Sequence, residues 1–140
     1  MYNRYRVIAC SYRISVASSN TASQLQLAVV PTNEPITPSS LSEVREQPRA
    51  RYTLQGAMGS PLRFVTGKVY IPSLMGRTKA QYMADDRFQA PFGQSPAELA
   101  LLNLYAGFLN EGTAINETMI FNVELEYTVE CFDIKHLNQS

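Results

Sequence analysis

The sequence predicts an all-β fold, an antiparallel sandwich with long loops, and three observations carry that prediction. Apolar residues recur with period two in several separate segments. Irregular, proline- and glycine-marked crossings of roughly 18 to 27 residues separate some of them, as in a sandwich with long loops. The chain has 140 residues, of which 45% are hydrophobic and 17% charged, enough for one packed core and too apolar for disorder. One domain over residues 1–140 is expected.

In Tyr5–Ala17 the even positions read Arg6, Ile8, Cys10, Tyr12, Ile14 and Val16, against Ala9, Ser11, Arg13 and Ser15. That is a long half-buried strand. A turn at Ser18-Ser19-Asn20-Thr21 leads to a second strand, Leu25–Val30, which Pro31 should stop. Pro31, Pro35, Pro38 and Pro48 punctuate the next connection, where Ser39–Glu43 can open one short helix. Arg51–Gln55 is a short strand, and Gly56–Pro61 a turn. In Leu62–Ile71 the apolar phase slips from even (Leu62, Phe64) to odd (Val69, Ile71), which a bulge at Gly67 would explain. Residues 72–98 read as irregular. Residues 95–109 are ambiguous: Ser95-Pro96-Ala97-Glu98 matches a helix start, while Leu99–Leu109 also suits a strand buried on both faces. In the last strand Met119, Phe121, Val123, Leu125, Tyr127, Val129 and Cys131 alternate with mostly polar residues, predicting apolar-in and polar-out.

Several classes are excluded or disfavoured. No stretch reaches 18 consecutive apolar residues, so no transmembrane helix and no membrane partner are expected. The amino terminus lacks a signal-peptide core. Cys10 and Cys131, 121 residues apart, lack metal-type spacing and read as buried thiols, with a disulfide between them as the alternative. His136 is the sole histidine, in a terminal stretch, and no nucleophile motif or phosphate loop accompanies it; catalysis and a cofactor are not expected. Asp85-Asp86 could contribute to a cation site but suits a solvated turn. Asn116-Glu117-Thr118 and Asn138-Gln139-Ser140 match glycosylation acceptors only formally.

Charge is balanced, 12 basic against 12 acidic side chains, but unevenly placed. Residues 1–94 hold 11 basic and five acidic residues, a net +6; residues 95–140 hold Lys135 and seven acids, a net −6. That balance disfavours a freestanding nucleic-acid binder. Glu124, Glu126 and Glu130 form a stripe of like charge on one strand, which calls for basic neighbours across strands or across an interface. The complementary candidates are Arg4, Arg6, Arg13, Arg45, Arg49 and Arg51. Arginine outnumbers lysine nine to three, which suits interfaces and phosphate. Interface pairing and ordinary surface charge both fit this pattern.

The order of segments resembles the single jelly-roll capsid proteins of small circular single-stranded DNA viruses. Tyr2-Asn3-Arg4-Tyr5-Arg6-Val7 and the alternation after it look like that family's strand C, and Leu25–Val30 like strand D. Glu46-Gln47-Pro48-Arg49-Ala50-Arg51-Tyr52 is similar to the lead-in to strand E, and Phe64–Ile71 with Pro72–Gly76 and Asp85-Asp86 to strand F and its loop. Glu124–Phe132 is similar to the closing strand I, which makes Leu99–Leu109 strand H. The resemblance implies an eight-stranded antiparallel jelly roll whose first strand, with an arginine-rich arm, is missing from this sequence. It also implies a structural role: a subunit that assembles with copies of itself, 60 or a multiple, into an icosahedral shell. The implied partner is single-stranded nucleic acid, held mainly by the missing arm, and the implied location is the virion, with the host nucleus or cytoplasm during assembly. The inter-subunit candidates are then Glu124, Glu126 and Glu130, and the six arginines are candidates for an interface or the genome-facing side. The alternative from another class is a β-sandwich binding module for a glycan or host protein, with Tyr82, Phe88 and Phe92 as the nearest approach to a sugar platform.

Overall fold

In the computed structural model, residues 1–18, 24–56, 59–109 and 118–134 are described. They form, in chain order, β1 (Tyr2–Ser18), β2 (Leu25–Thr32), α1 (Leu41–Arg45), β3 (Arg51–Gln55), β4 (Val65–Tyr70), α2 (Ile71–Leu74), α3 (Lys79–Ala84), one 3₁₀ turn (Asp86–Phe88), β5 (Gln89–Pro91), β6 (Leu101–Phe108) and β7 (Met119–Ile134). All strand pairs are antiparallel. One sheet centres on β1, with β7 along one edge and β4 and β5 sharing the other. The second runs β3-β2-β6. No helix among the described residues is long and apolar enough to cross a membrane.

The two sheets meet through one core, consistent with the β-sandwich expected. Tyr12, Ile14 and Val16 of β1 pack with Leu25, Leu27 and Val29 of β2, Val65 and Val69 of β4, and Phe108 of β6. Fully buried side chains of this size contribute about 1.5–3 kcal/mol each. β2 is buried on both faces, because α1 closes its outer side: Val44 packs with Ala28 and Val30. Ser40 caps that helix by accepting a hydrogen bond from the Glu43 amide, as the Ser39–Glu43 motif predicted.

The phase of two strands differs from the sequence reading. The register between β1 and β7 shifts between Val7 and Ala9, so Ile8 is the extra residue of a bulge. Tyr5 and Val7 therefore share the inner cleft with Cys10 and Tyr12, and Arg6 belongs to the opposite side. No shift interrupts β4, where Val65–Tyr70 pairs continuously with Ile14–Ala9. Leu62 and Phe64 precede that strand, which removes the need for a bulge at Gly67. Ile71, expected to continue the strand, instead opens α2. β2 also runs through Pro31 to Thr32: its ladder to β3 ends at Val29, while β6 pairs on to the end.

Residues 72–98 are more ordered than expected. α2, α3, the 3₁₀ turn and β5 all lie in or against this stretch. Tyr82 on α3 donates its hydroxyl to the Val7 carbonyl at 2.7 Å, in the gap that β4 and β5 leave along β1. A ladder position with no strand partner on that edge of β1 is thus satisfied by a side chain. Residues 95–100 form no helix, and the apolar stretch after them is strand, β6.

Candidate functional site

The register of β1 against β7 brings the basic beginning and acidic end of the chain together. It sets Arg6 opposite Glu130, Arg13 opposite Glu124, Ser11 opposite Glu126 and Arg4 opposite Phe132. Arg6 donates from Nε to Glu130 Oε2 at 2.6 Å and from a terminal nitrogen to the Met83 carbonyl, also at 2.6 Å. Its guanidinium lies 4.4 Å from the centre of the Phe132 ring. Arg13 is looser, 3.6 Å from Glu124 and exposed, with its guanidinium 3.8 Å above Phe64. Two of the three stripe glutamates are therefore paired within the chain, across strands. Glu126 has no ion pair among the described residues.

The remaining predicted arginines fall into two groups. Arg4 is half-buried, and its Nε lacks a hydrogen-bond partner. Arg45, in the last turn of α1, lies 5.3 Å from the Tyr52 ring centre. Arg49 and Arg51 border a cleft of about 220 Å³, and Lys68 joins them there with Tyr12, Pro31, Val69, Tyr70 and Ser73. Arg49 adopts a left-handed backbone, φ 65°, and reaches Ser73 at 3.4 Å; Arg51 donates to the Thr66 carbonyl at 3.2 Å. None of these three cations has a carboxylate partner among the described residues, so the cleft is suited to an anion. Burial pushes the Tyr12 phenol up and nearby Arg51 draws it down, the rise being the larger. Sequence reasoning missed Lys68 because its placement depends on the β1–β4 register, which no local motif encodes.

The most exposed apolar feature is β7 itself. Its alternation holds, but the expected inward side is uncovered: Phe121, Val123, Leu125, Tyr127 and Val129 are 39–56% exposed. No strand among the described residues pairs its other edge. Leu125, Tyr127 and Val129 line one wall of an apolar cleft of about 430 Å³, and Leu99, Leu101 and Leu102 line another. Cys131, expected to be buried, is exposed on this uncovered strand, whereas Cys10 is half-buried and its thiol pushed up by burial.

Other candidates resolve into structure. Asp85 accepts from the backbone and side chain of Arg87, which holds its carboxyl at about 2, and no cluster of three metal-ligating side chains occurs among the described residues. Tyr82 and Phe88 stack at 4.7 Å inside the core, so they do not form an open platform with exposed Phe92. His136, both asparagines of the glycosylation triplets and most of the 109–118 connection lie outside the described residues. Compared with protein-family models, curated proteins and solved structures, the chain matches none.

Proposed function

We propose that this chain is the jelly-roll part of a viral coat subunit, which assembles with copies of itself into a small icosahedral shell around a single-stranded genome. The observation that carries the reading is the 16-residue edge strand β7, unpaired along one side by any described strand and apolar over the cleft. A long, exposed apolar edge is an association site in water. Its role is geometric: rigid sheets set the angle between neighbours, and repeated use of the same patches closes the shell.

The pairing pattern supports the jelly-roll form. A jelly roll is a long antiparallel hairpin wrapped into two sheets, so its strands pair in nested order. Here β2 and β3 are the innermost pair, and β1 with β4 and β5 encloses them. The next two strands outward, β6 and β7, have no nested partner among the described residues, and they border the open cleft. With β4 and β5 counted as one position because they share one edge of β1, the described strands fill six positions, and completing eight takes two more, one beside each of β6 and β7, where the sequence reading called for one. β1 then occupies the third strand position of the roll, D, rather than the second, C. The Arg49, Arg51 and Lys68 cleft is this chain's own candidate for phosphate contact.

Electron microscopy and sedimentation of the full gene product, across a range of salt concentrations, test this. Closed particles of uniform size are expected. A monodisperse monomer under every condition overturns the reading.

A further inference from the structure

We infer that the free edge of β7 receives an extended strand, apolar at alternate positions and carrying lysine or arginine at the intervening ones, and not a second copy of β7. The inference rests on the reading of β7 as an assembly edge and names what covers it. Two sides of the strand set the chemistry. Phe121, Val123, Leu125, Tyr127 and Val129 are exposed toward the interior side, so the incoming strand must place apolar residues there to continue the core. The opposite side reads Asn122, Glu124, Glu126, Thr128, Glu130. On its β1 flank Arg13 faces Glu124 and Arg6 faces Glu130, while Glu126 faces only Ser11. A cation from the free flank would meet Glu126 directly.

The same charges disfavour the simplest occupant. In an antiparallel pair of β7 strands, apolar sides stay together only if even-numbered residues face even-numbered ones. Six of the seven registers centred between Glu124 and Glu130 then set one glutamate against another: Glu124 against Glu124, Glu126 or Glu130, Glu126 against Glu126 or Glu130, or Glu130 against Glu130. Only the register centred on Val129, which sets Glu130 against Thr128, avoids this, and it leaves every glutamate without a cation on that flank. Like charges directly opposite are destabilising, and no lysine or arginine on β7 offsets them. A different strand with basic residues at those positions gains what a second β7 loses.

The test uses the 140-residue chain and two synthetic peptides, one alternating lysine and valine, the other glutamate and valine. Hydrogen exchange and calorimetry are read together. The lysine peptide is expected to bind roughly tenfold more tightly, the sum of two cross-strand pairs, and to slow exchange at alternate amides of Met119–Ile134. Glu126→Lys should narrow or reverse that preference. Equal binding of both peptides, binding of neither, or protection of β7 through dimerisation of the chain alone would each overturn the proposal. Particle formation is scored separately. Shells without peptide preference sink the strand proposal alone, and peptide preference without shells sinks the coat reading alone.

Discussion

Arg6 and Glu130, 124 residues apart in sequence, meet at 2.6 Å across β1 and β7. The arginine side chain is only 10% exposed, and its second hydrogen bond, to the Met83 carbonyl, also ties α3 to the sheet. Removing it by Arg6→Ala strands a carbonyl and a carboxylate together. We expect a loss of about 2–3 kcal/mol in urea unfolding, from a partly buried, charge-assisted pair. Glu130→Gln keeps a hydrogen-bond acceptor and should cost less, about 1 kcal/mol. Equal stability of Arg6→Ala and the parent would show that this contact does not hold β7 in place.

Glu126 behaves differently, because nothing basic faces it from β1. Glu126→Lys should leave folding stability within about 0.5 kcal/mol, the usual range for exposed sites. If β7 is an assembly edge, the same change should reduce particle yield in sedimentation. Normal particle yield from the variant would leave this glutamate as ordinary surface charge.

Arg49, Arg51 and Lys68 converge without an opposing carboxylate among the described residues. If they hold phosphates, replacing all three with alanine should flatten the salt dependence of single-stranded oligonucleotide binding. The slope of log affinity against log salt should shrink by about 2, from roughly 0.7 per lost phosphate contact. Fluorescence anisotropy over a salt series reads this, and an unchanged slope rules the cleft out as a contact site.

How far these sites could be read from sequence follows from what each depends on. The alternation in Met119–Cys131 identified β7 because period two is a local property. Whether that strand is covered is not local, and its apolar side proved open because no described strand lies beyond it. The bulge at Ile8 was invisible because Ile8 and Arg6 fit an even-numbered apolar phase well enough to mislead. The slip around Gly67 was misassigned for the converse reason: Leu62 and Phe64 mimicked strand residues while lying before β4. Arg49 and Arg51 were legible as a motif. Lys68 became their neighbour only through the long-range pairing of β1 with β4.

Gly67 has a steric role. A side chain there would run into the Tyr12 ring, which lies over that residue from the adjacent strand in a register where Tyr12 opposes Gly67. Tyr12 is buried and cannot swing freely into solvent. Gly67→Ala should therefore destabilise by about 1–3 kcal/mol, the range for overpacking. The double variant with Tyr12→Leu should recover part of that loss, because the leucine lacks the ring atoms the new methyl meets. Thermal unfolding of the two variants checks the coupling; purely additive losses would place the clash elsewhere.

Asp85 makes stability depend on acid in a defined direction. Its carboxylate accepts from the Arg87 amide and guanidinium, which holds its titration at about 2 against an ordinary value of 3.8. A depressed value means the unfolded chain binds the proton more readily than the folded one. The contribution is therefore present above about pH 4 and is lost as pH falls toward about 2. Glu43 acts in the same direction, since the amide and hydroxyl of Ser39 lower its titration. Asp85→Asn removes the larger of these dependences. The stability difference between parent and variant should shrink as pH drops from about 4 to about 2, measured by urea unfolding at each pH. A difference that stays constant over that interval would show that the Asp85–Arg87 contact does not persist in solution.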